Sequence, residues 1–459
     1  MNPLLSKLNS VHLVGIGGVG MEGLARYLGS VGIAVQGSDF LDSQTLQFLS
    51  EDGFKTWPFH DPSHIEDVDL VIYSAAVNKE NPELIAAENL GVHLVSRAEF
   101  IGELSRWHET LSVAGTHGKT TSSAMLSEIF LQSGRSPSVL VGGTNSGRAI
   151  ANYGQEPWLI LEADEYAKSF LFFHNDWAII TGVEAEHLDC YGTLNELEKT
   201  FVEFSNRLPF YGEVFIGGDG LVSTEITKGI KRKVRTFGFD IACNFRIANF
   251  RTVSLGSSFD FYHENEFLGH IDLKVPGEYN ARNAAGVAAM AIRVGVSWED
   301  IAGGLASYKP VDRRFDLTSL HGDIIVVDDY AHHPSEIAST LSAARSTRRR
   351  IVAVFQPHLY SRTKEFWELF SIELMNADYV VITEIYSARE SFIPGITGAM
   401  IVDEMRRQGF QNVCFIETLE EVVPHIKTVV DAGDLVITMG AGDVWKIAKD
   451  FIETIGETV

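Results

Sequence analysis

The sequence predicts an α/β protein of three domains: a Rossmann-like N-terminal domain, a central P-loop-type ATPase domain with a small antiparallel meander, and a second Rossmann-like domain at the C-terminus. Three observations carry this prediction. Short apolar, often β-branched runs alternate with amphipathic stretches towards both ends of the chain, the texture of βα units in parallel sheets. Glycine-rich turns follow two of these runs, at Gly15–Gly20 and at Gly115–Thr121. The 459 residues supply material for about three domains, and the motifs place them at 1–108, 109–311 and 312–459.

In the first stretch, Val11–Val14 reads as a strand and Gly15-Ile16-Gly17-Gly18-Val19-Gly20 as the turn after it. Met21, Leu24, Ala25 and Leu28 form the apolar side of the helix that follows. Ala34-Val35-Gln36 leads to Gly37-Ser38-Asp39, and Leu70–Tyr73 leads to Ser74-Ala75-Ala76. Each polar tip follows a strand, on the sheet edge where α/β proteins bind ligands. The glycine turn matches the dinucleotide fingerprint, with Asp39 placed as a ribose-binding acid. The physics is less selective. Any diphosphate at that helix N-terminus meets free N–H groups and the positive end of the dipole, so a nicotinamide cofactor and a nucleotide-sugar diphosphate both remain open.

The central stretch opens on the strand Leu111–Ala114, followed by Gly115-Thr116-His117-Gly118-Lys119-Thr120-Thr121. Glycines let N–H groups close on phosphate oxygens, lysine adds a point charge, and the threonine hydroxyl reaches a magnesium ion. The first glycine stands nearer the lysine than in the ordinary P-loop. Trp158–Leu161 ends in Glu162-Ala163-Asp164-Glu165, and Trp177–Ile180 leads to Glu184-Ala185-Glu186-His187. In a parallel sheet these tips gather at one edge, so Thr120, Glu162 and His187 form the candidate Mg²⁺ set beside ATP, with Glu165 the rival carboxylate. Residues 235–273 alternate around turn residues as a meander, and a helix follows from Asn280 to Val294.

The last stretch contains four continuous β-branched runs, Ile324–Val327, Ile351–Phe355, Tyr379–Ile382 and Leu435–Thr438, which read as a parallel sheet. Asp328-Asp329-Tyr330-Ala331-His332-His333-Pro334 follows the first run, with Pro334 suited to a first helical turn. His332 and His333 lack flanking ligands at metal-binding spacing, which favours helix capping and ligand contact. Gln356-Pro357-His358 and Ser361-Arg362-Thr363 follow the second run, and Arg362 is a candidate for bidentate carboxylate recognition. Arg348-Arg349-Arg350 reads as a solvated charge run.

Composition excludes several classes. A formal charge of −24 argues against nucleic-acid or anionic-membrane binding. Three cysteines, Cys190, Cys243 and Cys414, are too few and too dispersed for a disulfide framework or a zinc site. No apolar run reaches the ~20 residues of a membrane span. The N-terminus, Met1–Lys7, reads as no signal peptide, so a cytoplasmic location is expected.

With these residues in place, the chain resembles the Mur ligases over nearly its whole length. The short Gly115–Thr121 loop is the family-level mark. Gly15–Met21, Asp328–Pro334, Gln356–His358 and Ser361–Thr363 are the more specific ones. The resemblance implies an ATP-dependent amide ligase that joins L-alanine to the carboxylate of UDP-N-acetylmuramate through an acyl phosphate. It also implies Mg²⁺ as cofactor and a monomer or homodimer. The alternative is a sister ligase that adds a preformed peptide to the same nucleotide sugar. By the same resemblance, Gly15, Gly17, Gly18, Gly20, Met21, Ser38, Asp39, Ser74 and Ala75 line the UDP-sugar site. Gly115 to Thr121, with Asn280, Asn283, Arg314, Asp329, His332 and His333, serve ATP. Lys119, His187, His358 and Arg362 take the catalytic roles, the last two beside the incoming alanine. Leu359 stands where the family more often has arginine, and Tyr166-Ala167 where Ser-Asp is commoner. Lys199 is the nearest candidate for a carbamylated metal-holding lysine, although its register is wrong for that role.

Overall fold

The computed structural model describes residues 4–40, 43–321, 323–388 and 390–456, so Met1–Pro3 of the N-terminal stretch lie outside the described residues. By contact the chain forms two compact units. The first comprises residues 1–250, 259–272 and 281–308, and the second 251–258, 273–280 and 309–459.

The first unit carries a five-stranded sheet of β1 (Ser10–Val14), β2 (Ala34–Ser38), β3 (Lys55–Trp57), β4 (Leu70–Tyr73) and β5 (His93–Ser96). Every pair is parallel, in the order β3-β2-β1-β4-β5. The order reverses at β1, so the turn after β1 opens at the switch point where such sheets hold ligands.

The next sheet comprises β6 (Glu109–Ala114), β7 (Ser138–Asn145), β8 (Arg148–Asn152), β9 (Trp158–Glu162), β10 (Trp177–Ile180), β11 (Glu213–Gly217) and β12 (Lys233–Gly238), with the meander β13 (Phe245–Val253), β14 (Gly256–His263) and β15 (Glu266–Leu273). Its order is β15-β14-β13-β12-β11-β10-β6-β9-β7-β8. β6 lies between β9 and β10 and runs parallel to both, with Val113 opposite Glu162 and Ala114 opposite Ile180. The phosphate loop, the acidic tip and the tip after β10 therefore leave the sheet side by side. Two-residue links join β13 to β14 and β14 to β15, as antiparallel hairpins require.

One hydrophobic cluster runs through both of these sheets' surroundings. It joins Leu24, Leu28 and Leu104 of the N-terminal stretch to Leu161, Phe170 and Phe201 of the central one. Each such side chain contributes roughly 1.5–3 kcal/mol when fully buried.

The second unit is built on β16 (Asp316–His321), β17 (Ile324–Asp329), β18 (Ile351–Phe355), β19 (Tyr379–Thr383), β20 (Val413–Ile416) and β21 (Leu435–Met439), in the order β16-β17-β21-β18-β19-β20. All pairs are parallel except β16–β17, which is antiparallel and irregular between Leu317 and Ser319. Alternate residues of the β-branched runs enter separate cores: Val327, Ala353 and Phe355 on one face, Val326, Val352 and Val354 on the other. Burial on both faces is why these strands read as unbroken apolar runs. In the arginine run Arg348 and Arg350 are exposed, as expected of a solvated run, and Arg349 and Arg350 also bind partners. Arg350 Nη1 pairs with the buried Asp434 at 2.8 Å and donates to Val429 O at 3.0 Å, and Arg349 Nη1 donates to Gly433 O at 3.0 Å. Among the described residues no helix is long and apolar enough to cross a membrane.

Candidate active site

β6 delivers the phosphate loop under close constraint. Gly115 has φ +126°, and a Cβ there would stand 2.1 Å from Thr181 Oγ1; Gly118 has φ +82°, and its Cβ would stand 2.5 Å from Asn283 Oδ1. Both positions exclude a side chain by space and by backbone conformation. Thr116 N–H donates to Gly182 O at 3.0 Å and the Thr181 hydroxyl to His117 O at 2.5 Å, which ties the loop to the tip after β10. The helix Lys119–Gln132 starts directly after Gly118. Its first-turn N–H groups lack intrahelical acceptors and face the loop's ligand space.

Three carboxylates and a histidine surround that helix start. The Thr120 hydroxyl donates to Glu162 Oε1 at 2.9 Å, and Gly142 N–H donates to Glu162 Oε2 at 2.7 Å. Lys119 Nζ donates to Glu165 at 2.8 and 3.0 Å, to Gly115 O at 2.7 Å and to Thr116 O at 3.2 Å. His187 Nε2 lies 3.7 Å from Glu165 Oε1. Asp164, Glu165 and His187 each offer a ligand atom within 4.8 Å of the others. The expected set is thus divided: Thr120 meets Glu162, whereas His187 meets Asp164 and Glu165, with Lys119 at Glu165 too. Oxygen donors plus one imidazole at a triphosphate-type helix start suit Mg²⁺, and the glycine cradle that any Cβ would fill suits phosphate.

Electrostatics follow from burial. Burial alone would lower Lys119, but Glu165 and Asp164 hold it protonated and above the ordinary lysine value. Burial pushes Glu165 up to about 7, against the pull of Lys119 and with help from Asp164. His117 lies 3.5 Å from Glu184 and 3.8 Å from Glu186. Asn283 packs on Gly118, while Asn280 Nδ2 donates to Pro276 O at 2.8 Å.

The other glycine turn is built with similar economy. Gly15 has φ +83° and sits against Ser74, whose Cβ would be 3.2 Å from a Cβ on Gly15. Gly17 N–H donates to Asp39 Oδ2 at 2.9 Å and Phe40 N–H to Asp39 Oδ1 at 2.8 Å, so Asp39 staples the turn. Gly18 caps the helix Val19–Ser30, with no atom nearer than 3.7 Å to a Cβ built there. Ala75, two residues past β4, is exposed on the same edge. Met21 is buried in the core and its N–H bonds Gly18 O at 2.8 Å. Ser38 is also buried and donates to Glu83 Oε2 at 2.5 Å. Glu83 in turn meets His60 at 2.9 Å, His64 at 2.7 Å and His12 at 3.4 Å. Met21, Ser38 and Asp39 thus each also hold the scaffold of the turn.

In the second unit a polar edge forms beyond β17 and β18. Asp329 accepts from Phe315 N–H at 2.6 Å and Ala331 N–H at 2.8 Å; burial pushes its carboxyl up to about 6, against Arg314. Arg313 Nε donates to Asp328 at 3.0 Å, and Arg314 lies over the Tyr330 ring at 4.9 Å. The N–H groups of His332 and His333 donate to Glu336 at 3.0 and 3.2 Å at the start of the helix Pro334–Arg345, the capping expected of this tract. Arg362 Nη1 lies 3.1 Å from His358 Nδ1, and the His358 ring faces His332 at 5.9 Å and Tyr386 at 5.8 Å. Burial, with His332 and Arg362 adding, lowers His358 to about 3, so its imidazole is neutral and accepts from Arg362. Among the described residues Lys199 pairs with Glu196 alone, at 2.6 Å in an exposed helical pair.

Sequence reasoning missed Asp164, Glu83 and Arg97. Asp164 was visible as part of the acidic tip. Glu83 is brought to its histidines by the fold alone, and Arg97 was visible only as the first helical residue within a Ser96–Glu99 capping box.

Comparison with known proteins covers the chain in three parts. Residues 10–108 match the profile described as Mur ligase family, catalytic domain; 113–291 the Mur ligase middle domain; and 313–442 the Mur ligase, glutamate ligase domain. A UDP-N-acetylmuramate–L-alanine ligase of Geobacter sp. (strain M21) is 37% identical over 98% of each chain. One from Geotalea daltonii is 37% identical over 99% of this chain and 100% of its own. The crystal structure of a UDP-N-acetylmuramate–alanine ligase from Thermotoga maritima superposes with a TM-score of 0.84 at 28% identity, covering 98% of this chain and 100% of that one. A murein peptide ligase from Psychrobacter arcticus shares the fold with a TM-score of 0.68 at 21% identity, over 98% and 99% of the two chains.

Proposed function

This chain belongs to the Mur ligase family, and we propose that it joins L-alanine to the carboxylate of UDP-N-acetylmuramate in peptidoglycan precursor synthesis, releasing ADP and phosphate. The observation that carries the reading is the convergence of Lys119, Thr120 and Glu162 on the sheet edge next to β6, in a chain 37% identical to such ligases end to end. The alanine ligase structure also superposes better than the peptide ligase, 0.84 against 0.68.

ATP supplies the phosphoryl group that turns the carboxylate into an acyl phosphate, and Mg²⁺ offsets the charge that builds up on it. Thr120 and Glu162 are the first candidates to hold the metal, with His187, Asp164 and Glu165 on its other side. Lys119 stabilises the transferring phosphoryl group, a positioning and electrostatic task. The Gly115–Thr121 loop cradles the phosphates, with His117 at its rim, and Asn280 and Asn283 lie towards the base. The Gly15–Gly20 turn and Ser74-Ala75 hold the uridine nucleotide. In the second unit, Arg362, oriented by the neutral His358, receives the carboxylate of alanine. Arg314, Asp329, His332 and His333 belong to the same polar edge and take the ATP-binding role that the family resemblance implies. The domain boundaries 1–108, 109–311 and 312–459 correspond to these three tasks.

A phosphate-release assay with UDP-N-acetylmuramate, ATP and a panel of amino acids tests the reading. L-alanine-dependent release is expected. Release only with a tripeptide would assign the recycling reaction, and no release with any acceptor would remove the proposal.

A further inference from the structure

Arg97 opens the helix Arg97–Ser105, whose start is fixed by a capping box: Ser96 N–H donates to Glu99 Oε2 at 2.8 Å, and Glu99 N–H to Ser96 Oγ at 3.2 Å. The side chain thus leaves a rigid base. It reaches the start of the helix after the first glycine turn, where a Cβ on Gly20 would stand 2.8 Å from Arg97 Nη1 and 3.0 Å from Cζ. It also lines a cleft of about 230 Å³ with Gly20, Gly23, Gly142, Glu162 and Asp164. That cleft joins the first glycine turn to the acidic tip of the ATP site, within the first unit.

A guanidinium in such a place would ordinarily be paired. Arg97 is half-buried, and among the described residues its guanidinium makes no hydrogen bond or ion pair. Glu162 and Asp164 act on it only at a distance, raising its pKa against the larger effect of burial. By contrast, Arg350 pairs with Asp434 at 2.8 Å and Arg313 with Asp328 at 3.0 Å. Five donors in a planar fork, partly removed from water and without an acceptor, are costly unless an anion completes them. The nucleotide sugar carries two anionic groups that must pass this cleft, its diphosphate and the carboxylate to be activated.

We propose that Arg97 is a substrate-binding residue whose guanidinium takes an anionic oxygen of the nucleotide sugar in the cleft between the Gly15–Gly20 turn and the Glu162–Asp164 tip. The proposal rests on the functional reading above. It gives the glycine at position 20 a use, since a side chain there would push the fork out of this place. It also gives the cleft a cation that offsets two carboxylates as a further anion enters.

Calorimetric titration of full-length wild type, Arg97→Met and Arg97→Lys with UDP, UDP-N-acetylmuramate and ATP tests it. Arg97→Met should bind UDP-N-acetylmuramate roughly 10- to 100-fold more weakly, the loss expected for a charge-assisted contact. Arg97→Lys should recover part of this, since it keeps the charge and loses the fork. ATP affinity should stay unchanged in both. A parallel loss with UDP assigns the contact to the diphosphate, and unchanged UDP binding assigns it to the carboxylate. Binding of UDP-N-acetylmuramate within about 2-fold of wild type, or equal losses for ATP and nucleotide sugar, would overturn the proposal. A wild-type protein that binds ATP but neither uridine ligand would instead overturn the functional reading.

Discussion

Lys119 meets two demands: it donates to Glu165 and to two loop carbonyls, and in the proposed reaction it must also face phosphate. Lys119→Ala should lower kcat at least ~100-fold by analogy with loss of one preorganised donor, while UDP-N-acetylmuramate still binds. Near-normal turnover in a variant that binds the nucleotide sugar would refute the assignment. Glu83 gives a test through pH. Burial would raise its carboxyl, but His12, Ser38 and His64 hold it down at about 2, against an ordinary value of 4.5. A depressed acid stabilises the fold above its unfolded pKa, and that contribution disappears as pH falls from about 4.5 towards 2. The full shift corresponds to about 3 kcal/mol. Urea midpoints at pH 5 and pH 3 should therefore differ more in wild type than in Glu83→Gln, and equal differences would exclude the role. Local chemistry of this kind was only partly legible in the sequence. The Gly-Lys-Thr turn specified its own backbone needs, so Gly115, Gly118, Lys119 and Thr120 could be named in advance. Asp39 could be placed by spacing, but not its use in holding Gly17 N–H, and Glu83 gave no local sign of its three histidines.

Among the elements, the helix after the phosphate loop depends on a close neighbour. The helix Trp298–Ser307 crosses it at Gly304, where a Cβ would meet Ile129 Cα at 2.6 Å and Ile129 N at 2.9 Å. Backbone cannot yield as a flexible side chain can, so Gly304→Val should cost about 1–3 kcal/mol and loosen the loop's attachment. A thermal midpoint equal to wild type would show that the crossing tolerates the added bulk. Strands with strong signatures were legible: β1, β6, β9, β10, β17, β18, β19 and β21 all lie where apolar runs announced them. The edge strands were not. β16 is antiparallel and irregular, β20 has four residues, and β7–β8 carries glycines and asparagines, so none presents a sustained period. The arginine run before β18 illustrates the same limit. Its exposure was legible, but its partners were not, because Asp434 and Gly433 arrive from more than eighty positions away.

For the molecule as a whole, the proposed roles fall on separate compact units, with ATP loop and nucleotide turn in the first and the alanine edge in the second. Arg362→Ala should therefore raise the KM for L-alanine, roughly 10-fold or more for loss of a charge-assisted contact, while leaving ATP and UDP-N-acetylmuramate affinities intact. Equal loss of all three affinities would contradict that division. Order along the chain was legible enough to suggest three domains with a joint at 108/109; what the sequence hid is that side chains scattered from Leu24 to Phe201 share one apolar cluster. That shared core has a mechanical consequence. The two glycine turns stand in one compact unit and over one apolar cluster, so the span from one to the other is set by packed side chains. A nucleotide sugar is then selected by its length as well as its groups. If the proposed sites hold the two ends of the substrate, only a molecule of the right reach presents a carboxylate at the phosphate loop, and shortened analogues should bind without being activated.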